Sequence, residues 1–271
     1  MIKFFTELFS YGFILRAAIA GSLVALCASL LGISLVLKRF SMIGDGLSHV
    51  GFGTLAIAMA LNFSPLGVSI PISIIASFFL LRLSNDSSLN GDAAIALVSS
   101  SSLAAGILIT SITSGLNTDV TSYMFGSILS ISKNDVIISI ILCTLVLFLF
   151  CFFYHKIFAV TFDETFATAS GIKTKNYNSL LAVLTALTVV VGMRLMGAMM
   201  ISSLIIFPAL TSMRVFKSFK SVTISSAILS IICFFIGLIF SFAFSTPAGA
   251  TIVIANLICF LIFFIIGKVK N

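Results

Sequence analysis

The chain is a succession of apolar stretches of about twenty residues, the length that crosses a bilayer's hydrocarbon core as a helix. Short segments between them hold most of the charge. About nine such stretches can be bounded: Gly12–Leu37, Met42–Leu61, Pro65–Leu83, Asp92–Gly115, Asp135–Tyr154, Asn178–Met193, Met196–Met213, Val222–Phe244 and Ala250–Gly267. In lipid every backbone polar group must be paired within the protein, so these spans are expected to be helices. Only 8% of the 271 residues are charged, against roughly 25% in soluble domains. Residues 1–271 therefore read as a single transmembrane domain: an all-α, polytopic integral membrane helical bundle with no room for an ATPase on the same chain.

Two segments do not fit the spanning pattern. Leu116–Asn134 contains Asp119, Gly126 and Lys133 around a short apolar run, which predicts a re-entrant or interfacial segment shielded by protein. Phe162–Gly171 predicts a helix of about two turns, too short to span. Asp163 is its cap, Glu164 favours its first turn and Gly171 closes it. The bland alternative is a surface loop helix. Pro71 is expected to bend the third span, and Pro208 to interrupt the seventh. Asp92 suits the N-terminal dipole of the fourth span, and Arg16 is expected to snorkel to the interface. The run Ala17–Leu37 is too long for a signal-peptide core, and its strongest positive charges follow it.

Charge placement gives orientation. With the N-terminus outside and the C-terminus in the cytoplasm, Lys38, Arg39, Arg82, Lys156, Lys173, Lys175, Arg214, Lys217, Lys220, Lys268 and Lys270 fall inside. Lys3, Arg16, Lys133 and Arg194 fall outside. Basic residues favour the cytoplasmic side, so the net charge of +7 reflects topology and implies no nucleic-acid partner. The protein is expected in the plasma or inner membrane, with the helix at Asp163–Gly171 on its cytoplasmic side. Cys27, Cys143, Cys151, Cys233 and Cys259 lie inside apolar runs without a CxxC, as small packing residues would.

Met42 to Gly53 carries the chemistry. It sets Asp45 and His49 four residues apart, one turn along one helix face. A carboxylate at membrane depth is costly, about 2.5–3.5 kcal/mol at least, and usually faces a cavity, a partner or an ion. Carboxylate and imidazole together suit zinc, manganese or ferrous iron. On chemistry alone, a purely structural pair that holds helices together is an equal alternative.

Four stretches then resemble the membrane permease subunits of zinc/manganese-type ABC importers, the ABC-3 family. Gly44-Asp45-Gly46-Leu47-Ser48-His49 is similar to that family's G-D-x-L-S/A-H motif. Asp119 to Gly126 is the second stretch. Gly197-Ala198 with Ser203 to Ala209 is the third, and Thr246-Pro247-Ala248-Gly249 the fourth. The sequence departs from the family at Gly51-Phe52-Gly53-Thr54, where many members carry Pro-Gly or Leu-Gly. It departs again at Met199 and Met200, where small residues or Leu are usual. The resemblance implies a permease that works as a homodimer, with a cytoplasmic ATP-binding subunit below and an extracytoplasmic metal-binding protein above. Asp45 and His49 would be its metal-pathway residues. Asp163, Glu164, Phe166 and Gly171 would belong to a coupling helix seated in the ATPase. No tightly bound cofactor is implied; the divalent metal, zinc with manganese or iron as alternatives, is cargo.

Three other classes compete. A stand-alone secondary carrier could use Asp45 and His49 as a proton or metal relay, but the halves show no convincing repeat of the kind such carriers carry. An accessory membrane subunit would leave the buried Asp/His pair without a purpose. An enzyme fits worst, since neither an HExxH nor a nucleophile-elbow motif is present.

Overall fold

A computed structural model describes residues 12–84, 91–113, 126 and 132–270. These residues contain helices and no strand. In chain order the helices are α1 (Gly12–Leu37), α2 (Ser41–Ala60), α3 (Pro65–Ser84), α4 (Gly91–Ile112), α5 (Lys133–Phe152), α6 (Tyr154–Phe162), α7 (Glu164–Ala169), α8 (Thr174–Met196), α9 (Ala198–Met213), α10 (Phe219–Phe244) and α11 (Ala248–Lys270). Seven of them, α1, α3, α4, α5, α8, α10 and α11, are long and apolar enough to cross a membrane. α2 is 20 residues long, but Asp45, His49 and its glycines dilute its hydropathy. α9 has only 16 residues.

α1 and α8 form the centre. Across their most apolar stretches 72% and 78% is buried inside the bundle, against 17% for α4 and for α11. Small residues let neighbours close on this centre, as is usual where helices pack without a hydrophobic drive between them. A Cβ at Gly32 would collide with the backbone carbonyl of Ile205 on α9, and one at Gly21 with the ring of Phe234 on α10. Hydroxyls fasten the seam: Ser230 donates to the Ala25 carbonyl at 2.7 Å and Ser226 to that of Ser29 at 3.3 Å. Along α4, α10 and α11 large side chains such as Leu97, Ile236, Phe244 and Ile265 face outward, as a lipid-facing rim requires.

Helix ends follow local chemistry. After α1 the amide of Phe40 bonds the Leu35 carbonyl and that of Arg39 bonds Val36. This double closure forces Arg39 to a φ of 61°, so the chain turns within three residues and enters α2. Between α8 and α9 the break falls at Gly197, whose φ of 97° and ψ of 146° suit only glycine.

Several expected boundaries shift. α8 starts four residues before Asn178, and α5 ends at Phe152 rather than Tyr154. An unforeseen helix, α6, then leads to α7. Pro208 does not interrupt its helix: α9 runs through it, as α3 runs through Pro71. Membrane helices tolerate proline where neighbours re-satisfy the freed backbone groups. Leu116–Asn134 lies outside the described residues except for Gly126 and the start of α5.

Candidate functional site

The site begins with α2. Its glycines are points of close approach. A Cβ at Gly53 would lie 2.6 Å from the Ser102 carbonyl oxygen on α4, and one at Gly46 2.8 Å from Ile95 on the same helix. One at Gly51 would meet the Met193 thioether on α8, and one at Gly44 would touch Ile205 on α9. Phe52, at 2% exposure, fits against Gly106 of α4. The departure at Gly51-Phe52-Gly53 is thus a tight seam between α2, α4 and α8.

This packing leaves one face open. Between Ile43 and Ala56, Asp45 and His49 are the two residues not buried. Met42, one turn before Asp45, extends the same stripe and is exposed. His49 Nε2 stands 3.7 Å from Asp45 Oδ2, within ion-pair reach but beyond a hydrogen bond. The other ring nitrogen, Nδ1, is buried with no hydrogen-bond partner among the described residues. The imidazole is therefore not consumed by structural bonds, and a carboxylate oxygen and a ring nitrogen converge on one spot. Among the described residues no third His, Cys, Asp or Glu joins them in a cluster that could hold a metal. Two such groups are fewer than the four donors that zinc prefers.

The second expected element is α7. Asp163 is its cap, accepting from the Phe166 amide at 2.8 Å, and Glu164 lies in the first turn. At the far end the Ile172 amide bonds the Ala167 carbonyl and the Gly171 amide that of Thr168. Gly171 has the φ of +83° that this closure needs. Ala167 points inward and is fully buried, while Phe166 is 67% and Phe162 76% exposed. Glu164 is exposed over 48% of its side chain and is also held by its own chain. Its carboxylate receives Lys38 Nζ at 3.0 Å and Asn178 Nδ2 at 2.9 Å.

Other charged residues take structural positions. Asp92 sits in the first turn of α4, where the dipole argument puts it. Arg194 contacts Asp135 Oδ2 at 3.0 Å. Asp135 also completes a capping box with Ser132 at the start of α5. A Cβ at Gly126, whose φ is +76°, would collide with the backbone of Met196 beside the α8–α9 break. Met200 is partly buried on α9.

Comparison with known proteins agrees with this architecture. The chain is 30% identical over 265 residues to the manganese import system permease protein ScaB of Streptococcus gordonii, covering 98% of this chain and 95% of that protein. It is 27% identical to the high-affinity zinc uptake system membrane protein ZnuB of Haemophilus influenzae, over 91% and 94% of the two chains. Its structure is similar to that of PsaBC from Streptococcus pneumoniae in complex with Fab, with a TM-score of 0.88, 28% identity and 100% of both chains covered. Residues 10–267 match the ABC 3 transport family. The chain belongs to the ABC 3 transport family.

Proposed function

We propose that this protein is the membrane permease subunit of an ATP-driven importer for a divalent transition metal, zinc or manganese. One observation carries the site: on a helix otherwise sealed by its own bundle, the open stripe holds an aspartate and a histidine that no structural bond among the described residues uses up. That is a surface for cargo, and its donors suit both metals named by the relatives. Two copies facing each other across a two-fold axis would bring two Asp45/His49 pairs together, four donors for an ion shedding its water.

The remaining parts follow from this reading. α2 and α9 cross the membrane as well, giving nine spans. Their lower apolarity and shorter length are tolerated because both are enclosed by other helices. The N-terminus lies outside and the C-terminus in the cytoplasm. α7 then faces the cytoplasm and presents Phe166 to an ATP-binding subunit, which supplies the hydrolysis this chain does not perform. An extracytoplasmic metal-binding protein delivers the ion to the opposite side.

A self-sufficient carrier is not favoured, since it has no use for a rigidly capped helix with an exposed phenylalanine. The deciding experiment is radioactive zinc and manganese uptake into liposomes. Uptake should require the chain together with its ATP-binding subunit, its binding protein and ATP. Robust uptake by the chain alone under a proton gradient would overturn the assignment.

A further inference from the structure

Lys38 occupies the turn between α1 and α2, and its ammonium is enclosed by three other elements. It donates to the Val160 carbonyl of α6 at 3.1 Å, to Glu164 Oε2 of α7 at 3.0 Å and to Asn178 Oδ1 of α8 at 2.6 Å. An ammonium has three protons, and all three are used. Asn178 closes the triangle by donating to the other oxygen of Glu164 at 2.9 Å. The Lys38 side chain is only 6% exposed and Asn178 only 8%, while Glu164 is 48% exposed at the outer side of the triangle.

Solvated surface pairs are loose and interchangeable; a buried, fully bonded ammonium holds one geometry. Lys38 is also joined stiffly to the metal-bearing helix. The doubly closed turn at Arg39 and Phe40 leads straight into α2, and Asp45 lies about one turn into that helix. Phe40 and Ile43 of that entry line one crevice with Lys38 and Asn178. The short helix and the start of α2 therefore share one anchor.

We propose that Lys38 is a positioning residue for transport: a latch through which movement of α7 is passed to α2 and so to the Asp45/His49 pair. This rests on the permease reading above and adds the route by which nucleotide-driven motion would reach the cargo site. Lys38 touches no cargo itself. It keeps α7 and the entry of α2 moving as one body.

The test uses the complete importer in liposomes, with ATP hydrolysis and zinc or manganese uptake measured together. Lys38→Met should leave assembly with the ATP-binding subunit intact while metal moved per ATP falls roughly tenfold, within the usual range of coupling between sites. Asn178→Leu should do the same. The double variant should lose little more than either single one, because both remove the same link. Normal stoichiometry in Lys38→Met, or fully additive losses, would overturn the latch. Wild-type complex that shows no ATP-dependent uptake would instead overturn the permease reading.

A second measurement stands if the variants do not assemble. Spin-labelled unnatural side chains are placed at Met42 and Ser170 of the otherwise native complex, and their separation is measured without nucleotide and with ATP trapped. A latch keeps that separation fixed; a separation that changes between the two states overturns it.

Discussion

Arg194, in the last turn of α8, closes a 3.0 Å ion pair on Asp135 at the start of α5. The aspartate side chain is 8% exposed and the arginine 20%. Removing one partner of a buried pair strands the other and typically costs about 3–5 kcal/mol. Asp135→Ala and Arg194→Met should therefore each lower the stability of the purified protein in detergent by about that much. The double variant should lose clearly less than the sum. Additive losses in thermal unfolding would show that the two residues act independently.

The glycine seam of α2 makes a second prediction. At Gly53 the obstacle is the backbone of Ser102, 2.6 Å from a would-be Cβ, and backbone cannot rotate away. Gly53→Ala should cost about 3 kcal/mol, the upper end for overpacking, and should part α2 from α4. Gly67→Ala is the control. Its Cβ would meet only the Ser64 side chain at 3.3 Å, so stability should stay within about 1 kcal/mol of wild type. Equal effects at both sites would show that close approach is not what these glycines provide.

Local signals proved readable and remote ones did not. The limits of α1, the cap at Asp163 and the closing Gly171 depend on residues within a few positions, so pattern and capping chemistry suffice. The approach of His49 to Asp45 follows from helical periodicity alone. Glu164 is different: the sequence places it in the first turn of α7 but names no partner for it within the chain. Its partners Lys38 and Asn178 belong to other helices, and Lys38 lies 126 residues away, a distance over which hydropathy carries no pairing information. The pairing of Arg194 with Asp135 is illegible in the sequence for the same reason. α6 is not foreseen because its nine residues, Tyr154–Phe162, fall between the expected end of the fifth span at Tyr154 and the expected start of the short helix at Phe162. Pro208 is a weak stop signal here, since a packed membrane helix continues through proline.

Asp45 and His49 are expected to fail together. Asp45→Ala and His49→Ala should each abolish uptake of radioactive zinc and manganese, while the protein still assembles with its ATP-binding subunit. The Asp45 side chain is 36% and the His49 side chain 16% exposed, so assembly and unfolding temperature are measured on the same preparations. Wild-type uptake in both variants would leave the pair a purely structural one.

Orientation can be checked at the two ends of α10. Ser218 caps its start and Ser245 its end, and both are exposed. The distribution of Lys and Arg predicts Ser218 in the cytoplasm and Ser245 outside. In a background without the native cysteines, Ser218→Cys should react with an impermeant thiol reagent only in inverted vesicles, and Ser245→Cys only in intact cells. The reverse pattern would turn the protein over in the membrane and place α7 on the wrong side for an ATPase.

The final prediction separates what α7 does for its own chain from what it offers a partner. Ala167 and Phe166 are neighbours, yet the first is fully buried and the second 67% exposed. Ala167→Pro removes the amide that bonds the Asp163 carbonyl and forces a ring into a filled position, at a cost of about 3 kcal/mol. Transport lost through that variant would say only that the helix must exist. Phe166→Asp leaves every described contact of the backbone in place, including the cap from Asp163, because the ring lies outside the chain's own packing. It places a charge where an apolar anchor would enter a pocket on the ATP-binding subunit, and such anchors commonly cost more than about 2 kcal/mol when lost. Phe166→Asp should therefore keep the unfolding temperature of the isolated permease while co-purification with the ATP-binding subunit drops sharply. Undiminished co-purification at normal stability would mean that α7 docks through another residue, or not at all.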